Sequence, residues 1–303
     1  MDHLLQNPTF AILLAAYNGA AWITEQIQSI LDQQHVDLHI FISIDPSTDE
    51  TMRLCEHLAQ SDHRITLLSS DLHFGKASKN FFRLIKDVDL SIYDYMAFAD
   101  QDDIWLPKKL ITAHQHITEG NYDAYSSNVT AFWKDGRQSL LIKSQPQRQY
   151  DFLFEAAGAG CTYVLPRDSA LRFKTFMMEH WDTINQVDLH DWMIYAWYRA
   201  QHLAWFIDSN SYVLYRQHDH NRIGANKGFR AILNRMSMIR NGWYYAEIRK
   251  IWNLVSYDLP ELKPKQLTSL VFPRHFMFQH GLQCRRRLRD RLFLSFIILI
   301  GLH

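Results

Sequence analysis

Four short apolar runs recur in the first hundred positions. Each is followed by a polar turn and then by helical spacing, and this alternation constrains the fold more than any other feature. Phe10–Ala16 (FAILLAA) is apolar throughout and stops at Tyr17-Asn18-Gly19, the pattern of a strand buried on both faces and closed by a turn. Trp22–Gln33 carries Ile23, Ile27, Ile30 and Leu31 on one helical face. Leu38–Ile44 reads as a second strand ending in Asp45-Pro46-Ser47-Thr48-Asp49, and a helix through Leu54 and Leu58 follows. Ile65–Leu68 is a third strand, followed by a loop with Gly75 and a helix around Asn80–Lys86. Tyr95–Ala99 is a fourth, ending in Asp100-Gln101-Asp102-Asp103. Such alternation predicts an α/β fold with a mostly parallel, twisted sheet flanked by helices. Ligands of these sheets bind beyond the carboxyl ends of the strands, where this chain carries Asn18-Gly19, Asp45 and Asp100–Asp103.

Past Gly120 the alternation loosens. Tyr122–Phe132 reads as another strand, Gly158–Leu165 as a glycine turn entering a strand, His190–Arg199 as a helix and Tyr212–Tyr215 as a short strand. From Lys227 the composition shifts. Phe229, Ile232, Leu233, Met236, Ile239 and Trp243 recur at helical spacing among Lys227, Arg230, Arg235 and Arg240. Arg285, Arg286, Arg287, Arg289 and Arg291 then precede the apolar run Leu292–Leu302. That run is shorter than the about 20 residues that span a bilayer. The expected division is a domain over 1–226, in two parts of about 1–120 and 121–226, and a basic amphipathic helical tail over 227–303.

Charge and cysteine content exclude several function classes. Lys+Arg and Asp+Glu both number 32, so no global field draws the chain to nucleic acid. Cys55, Cys161 and Cys284 are odd in number and form no C-x-x-C, which argues against a disulfide framework or thiolate zinc site and fits a reducing compartment. The opening MDHLLQNPTF has no basic stretch followed by an apolar run, so no signal peptide is expected.

Asp100-Gln101-Asp102-Asp103 is the sharpest chemical signal. Crowded carboxylates raise one another's pKa unless a cation neutralises them. Oxygen ligands at a strand end suit Mg²⁺ or Mn²⁺ shared with a substrate phosphate. The competing reading is a solvated turn or a cap for the helix after Pro107. Asp45 could accept hydrogen bonds from a ribose or a base, or could belong to a capping cluster with Asp49.

Six motifs in order carry a family resemblance: AAYNG (Ala15–Gly19), DPSTDET (Asp45–Thr51), FADQDDIWLPKKL (Phe98–Leu110), GCTYVLPR (Gly160–Arg167), HDWM (His190–Met193) and YRQHDHNRIGA (Tyr215–Ala225). Over about residues 9–226 the chain resembles the family 2 inverting glycosyltransferases of the Rossmann-like GT-A fold. It is most similar to the rhamnosyltransferase-like branch of bacterial surface-polysaccharide synthesis. The resemblance implies that Tyr17 and Asn18 line the nucleotide cleft, that Asp45 binds base or ribose, and that the Gly75 loop, Lys79 and Asn80 lie beside the nucleotide. It implies that Asp100 and Asp102 form the metal-binding pair, that Gln101 and Asp103 lie at the donor, with Asp103 touching the donor sugar or supporting the metal, and that His218 completes the metal shell. Asp191 would be the catalytic base; many relatives carry Glu-Asp where this chain has His190-Asp191. Trp105, His190 and Trp192 would face the acceptor, although each Trp fits core packing equally well.

The implied reaction moves a sugar, L-rhamnose from dTDP-rhamnose, to a hydroxyl of a polyprenyl-linked glycan, with Mn²⁺ or Mg²⁺ as cofactor and no nucleic-acid partner. A carboxylate that takes the acceptor's proton contributes about 10²–10⁴-fold. Other donors (UDP-GlcNAc, UDP-Gal or UDP-Glc), a nucleotidyltransferase and a non-catalytic sugar- or membrane-binding module are the alternatives. A nucleotidyltransferase would favour a basic phosphate loop, and Ala15–Ala21 holds no Lys or Arg. The five arginines and the apolar run behind them suggest an anionic membrane surface as partner. The expected location is cytoplasmic, peripheral on the inner face of the plasma membrane.

Overall fold

Alternate residues of the first strand face opposite sides of the sheet, and both sides are apolar. In β1 (Thr9–Ala16), Ala11 and Leu13 enter one hydrophobic cluster while Phe10, Ile12 and Leu14 enter the other. A strand with no polar face must be covered twice, which is why helices lie on both sides of the sheet. The computed structural model describes residues 7–69, 73–218, 241–256, 259 and 280–299. The expected domain boundary near 226, the basic segment before Trp243, the histidine and arginine at 220 and 222, and the side chains of Phe296, Ile297 and Ile300 lie outside the described residues.

The first half follows the predicted alternation. It runs through α1 (Ile23–Leu31), β2 (Asp37–Ile44), α2 (Thr51–Ser61), β3 (Ile65–Leu67), α3 (Ala77–Asp87) and β4 (Tyr95–Asp100). β1 pairs in parallel with β2 on one side and β4 on the other, with Ala16 opposite Ile44 and Ala15 opposite Asp100. This register aligns three carboxyl ends, so Tyr17, Asp45 and Asp100 emerge along one edge.

The second half is more tangled. A two-residue β5 (Ile104–Trp105) precedes α4 (Lys109–Gly120), β6 (Ala124–Phe132) and β7 (Gln138–Leu141). β8 (Val164–Pro166), α5 (Arg167–Glu179), α6 (Trp181–Ile184), α7 (His190–Ala200) and β9 (Trp205–Arg216) follow, then α8 (Trp243–Val255) and α9 (Leu288–Leu299). The nine-stranded sheet runs β3-β2-β1-β4-β8-β6-β9-β5, with β7 on β6. β8 is antiparallel to both β4 and β6, and β9 is parallel to β6. Two reversals restore the direction, so the end of β9 returns to the edge that holds Asp100.

The last helices join the body of the molecule. Ile248, Ile251 and Leu254 of α8, with Cys284 and Leu294, belong to the same cluster as α3, α5 and α7. Of the five tail arginines, Arg286 is buried, with its guanidinium 3.4 Å from Asp151, and Arg285 reaches Glu155. These two therefore point inward, contrary to the expectation that all five face a membrane. Among the described residues no helix is long and apolar enough to cross a membrane.

Candidate active site

The site begins with the three loops at the aligned strand ends, which are laced together by side chains. Asn18 takes a positive φ of 47° in the turn after β1. Its Oδ1 accepts the Thr48 N–H at 2.8 Å, and its own N–H donates to Ser47 Oγ. Gly19 donates its N–H to Thr51 Oγ1 at 2.7 Å, and Ala20 donates to Asp49. Gln101 holds Tyr17 from the other side: its Oε1 accepts the Tyr17 N–H and its Nε2 donates to the Tyr17 carbonyl. A Cβ on Gly19 would sit 2.3 Å from Gln101 Oε1, so the latch requires glycine there. The Tyr17 ring is left exposed, as a surface for a base would be.

Asp45 is buried, and its carboxylate accepts the N–H groups of Phe74 and Gly75 at 2.7 and 2.8 Å. It draws the Gly75 loop over the end of β2, where Gly75 has a φ of 69°. Asn80 is also buried and donates to the Ser43 carbonyl, so its amide joins α3 to β2 and does not reach into the cleft. Lys79, beside it, is half-buried.

The acidic cluster separates into distinct environments. Asp100, Asp102 and Asp191 interact electrostatically, and burial together with these two neighbours pushes the Asp100 carboxyl up to about 7. Asp102 lies 2.6 Å from His218 Nε2, and the His218 ring stacks on Trp22 at 4.2 Å. Asp103 is fully buried, accepts the Arg216 N–H at 3.2 Å, and leaves Oδ2 without a partner. Burial and the other two carboxylates raise its pKa well above the ordinary range. A fully buried side chain cannot touch a donor sugar, so of the two roles expected of Asp103 only a supporting one survives.

Two residues missed in the sequence stand behind this cluster. Ligand atoms of Asp100, Asp103 and Cys161 lie within 4.8 Å of one another. Burial, with Asp103 and Asp100 nearby, drives the Cys161 pKa up, so the sulfur is a neutral thiol. Lys109 is also fully buried, and its ammonium makes no hydrogen bond and lies 3.5 Å above the Trp105 ring. Burial pushes it down to about 7. Neither has a sequence signal of its own, because a cysteine and a helical lysine are usually packing and surface residues.

The opposite wall is the start of α7. Asp191 lies in its first turn and accepts the Trp192 N–H at 2.8 Å, and the Tyr163 hydroxyl donates to the Asp191 carbonyl. The His190 ring stacks on Phe81 at 4.1 Å. A Cβ on Gly160 would lie 2.7 Å from His190 Nε2 and 3.3 Å from Asp191 Cβ. The glycine thus allows this turn to approach the sheet. Lys143 lies within electrostatic reach of Asp191, Glu155, Arg286 and Arg287.

The two tryptophans expected to stack on an acceptor do not face the cleft. Trp105 is buried under Lys109. Trp192 is buried against Tyr244 and donates its indole N–H to the Phe152 carbonyl at 2.8 Å. Both rings are core, since the face that would meet a sugar is already covered.

The chemistry of Asp100, Asp102 and His218 suits a hard divalent cation, but the ligand atoms that lie within 4.8 Å of one another are those of Asp100, Asp103 and Cys161. Asp100 and Asp102 offer oxygen, His218 sits against Asp102, and the crowding that raises Asp100 is the charge imbalance a cation relieves. The thiol of Cys161 is a poor ligand for such an ion.

Comparison with known proteins gives the family and the fold. The family model described as Glycosyl transferase family 2 matches residues 11–181. A dTDP-rhamnosyl transferase, RfbG of Shigella flexneri, is 40% identical over 293 residues, covering 95% of this chain and 100% of that protein. A UDP-Glc:alpha-D-GlcNAc-diphosphoundecaprenol beta-1,3-glucosyltransferase, WfaP of Escherichia coli, is 27% identical over 51% of this chain and 59% of its own length. The crystal structure of S. aureus TarS 1–349 in complex with UDP-GlcNAc shares the fold, with a TM-score of 0.58 and 14% identity over 97% of this chain and 80% of that one.

Proposed function

The chain belongs to glycosyl transferase family 2, and from that premise we propose that it transfers L-rhamnose from dTDP-rhamnose to a hydroxyl of a lipid-linked glycan during surface-polysaccharide assembly. The observation that carries the reading is the convergence of Asp100, Asp102 and Asp191 at the carboxyl edge of the sheet. The identity of 40% along nearly the whole chain to a dTDP-rhamnosyl transferase supports this donor over a UDP-sugar.

The roles follow from chemistry and position. Asp191, at the mouth of α7, accepts the proton of the acceptor hydroxyl as that oxygen attacks the anomeric carbon. Attack from the side opposite the leaving nucleotide inverts that carbon in one displacement, so no enzyme-bound intermediate forms. Tyr17, Asn18 and the loop tied to Asp45 form the bed for base and ribose, and Lys79 provides charge beside the diphosphate. Asp100 and Asp102 would hold Mn²⁺ or Mg²⁺, with His218 at Asp102, and the cation supplies positive charge for the departing diphosphate. This reading locates the chain in the cytoplasm, peripheral on the inner face of the plasma membrane, where its lipid-linked acceptor is presented.

Thermal shift with dTDP-rhamnose, UDP-GlcNAc and UDP-Glc, each with Mn²⁺, tests the donor, since a ligand that binds only the native state raises the melting point. We expect the largest rise with dTDP-rhamnose; stabilisation by UDP-sugars alone would exclude it. Release of dTDP by Asp191→Asn tests the base, and full turnover in that variant would remove Asp191 from the role.

A further inference from the structure

A second hollow lies between the β6–β7 hairpin and the start of α9. Its volume is about 540 Å³, and its walls include Leu140, Ile142, Arg148, Arg287, Leu288 and Arg291. Among the described residues no carboxylate lines it. Arg286, at its back, is committed to Asp151, Glu155 and the Ala156 carbonyl. Among the described residues the other three guanidinium groups have no carboxylate partner: Arg287 donates to the Ile142 carbonyl, and the Nε atoms of Arg148 and Arg291 are buried without a hydrogen-bond partner. A buried guanidinium N–H without an acceptor is expensive, and two of them beside a third guanidinium, with no carboxylate among the described residues, point to an anion with several oxygens.

The rim is apolar. Leu140 and Ile142 are 47% exposed, and Leu288 is 60% exposed. A cationic floor with a greasy rim suits a phosphate that carries a hydrocarbon chain, because arginine forks match phosphate oxygens and the leucines meet the chain. Lys143, which follows Ile142 directly, lies within electrostatic reach of Arg286 and Arg287 and of Asp191, and so links the hollow to the active site. Asn128 Oδ1 accepts the N–H groups of Lys143 and Ser144 at 2.6 and 3.1 Å and fixes that bridge.

We propose that this hollow seats the phosphate-bearing head and first hydrocarbon units of a polyprenyl-linked acceptor, leaving its glycan to reach Asp191. The inference rests on the lipid-linked acceptor reading above and assigns that acceptor a place. Arg148, Arg287 and Arg291 hold the phosphate oxygens; Leu140, Ile142 and Leu288 hold the chain.

Vesicle flotation of the full chain tests it. Phosphatidylcholine vesicles carry either undecaprenyl phosphate or an equal mole fraction of phosphatidylglycerol. We expect clear preference for undecaprenyl phosphate, and a loss of about tenfold in that binding for each of Arg148→Gln and Arg291→Gln, the size of one charge-assisted hydrogen bond. Leu140→Asp, at an exposed strand position that folding tolerates, should abolish the preference too. Equal binding to both vesicle types would identify a generic anionic surface and overturn the proposal, as would undiminished binding by all three variants. Stabilisation by dTDP, measured in parallel, separates the two readings. If the protein binds dTDP but shows no lipid preference, only this inference falls; if it binds no dTDP, the donor reading falls instead.

Discussion

Asp151 and Asp103 are both fully buried, and their surroundings are opposite. Asp151, in the short turn Asp151–Leu153, lies 2.9 Å from Arg199 and 3.4 Å from Arg286, and the Tyr195 hydroxyl donates to it at 3.1 Å. Asp103, at the head of β4, faces other carboxylates, a thiol and one ammonium with no hydrogen-bond partner. Near Asp151 every charge is answered by an arginine or a hydroxyl, which is how a core tolerates ions. At Asp100–Asp103 the carboxylates are crowded, with His218 and Lys109 near them, and this crowding destabilises the fold. Both regions hold buried carboxylates, so burial alone does not identify the site; the mutual crowding of the carboxylates does.

That contrast can be broken in four ways. The largest effect is expected at the crowded carboxylates, where Asp102→Asn or Asp191→Asn should lower turnover by about 10²–10⁴-fold while the urea midpoint stays near that of the parent chain. A variant that keeps its turnover while its urea midpoint falls would reverse the assignment. Next, Arg286→Gln should destabilise by about 3 kcal/mol, because it leaves Asp151 and Glu155 short of a buried counter-charge; denaturant titration reads this directly, and a neutral result would show that Arg199 suffices alone.

Third, Lys109→Met should stabilise by about 1 kcal/mol, since an apolar group of similar length replaces a buried ion. Burial holds the Lys109 pKa near 7, below its ordinary 10.5, so the unfolded chain binds the extra proton between those values and the native state gains stability as pH rises. The benefit of Lys109→Met should therefore be greatest below pH 7 and shrink towards about pH 10. Destabilisation instead would make Lys109 and Asp103 a true ion pair and erase the distinction drawn here. The smallest effect is expected on the surface. Asp62 is bound by Arg64 at 2.7 Å, and hydrogen bonding to that residue lowers its pKa to about 2. Asp62→Asn should remove less than about 1 kcal/mol at neutral pH. The difference from the parent should fade as pH drops from 4 towards about 2, where the native carboxylate protonates. A larger loss would mean that exposed pairing matters here as much as buried pairing.

The first hundred residues were largely legible. FAILLAA, LHIFISI and the run before Asp100 appear as strands within a residue or two of their expected ends, because a strand apolar on both faces has one stable environment, a sheet covered on both sides. The second half was less so. The strand expected at Tyr212–Tyr215 extends over Trp205–Arg216, and neither β5 nor β7 was foreseen. β7 and β9 are half-polar, β5 is only two residues long, and all three exist through pairing with β6 or β9, so their stability is not written in their own residues. Trp105 and Trp192 illustrate the same limit at the site: an aromatic beside a motif suits a sugar platform or a core, and only packing chooses between them.

The sequence by itself determined the doubly covered sheet and the edge where its acidic residues gather, because strand period, turn chemistry and strand-end position are local properties. Tertiary structure alone decided which carboxylate faces the cleft and which is sealed behind it, that Cys161 and Lys109 stand at its back, and that Arg285 and Arg286 turn inward while Arg287 and Arg291 line a hollow. Those outcomes depend on burial and on counter-charges brought from residues a hundred or more positions away, and electrostatic energy is set by distance and solvent access, neither of which a linear chain carries.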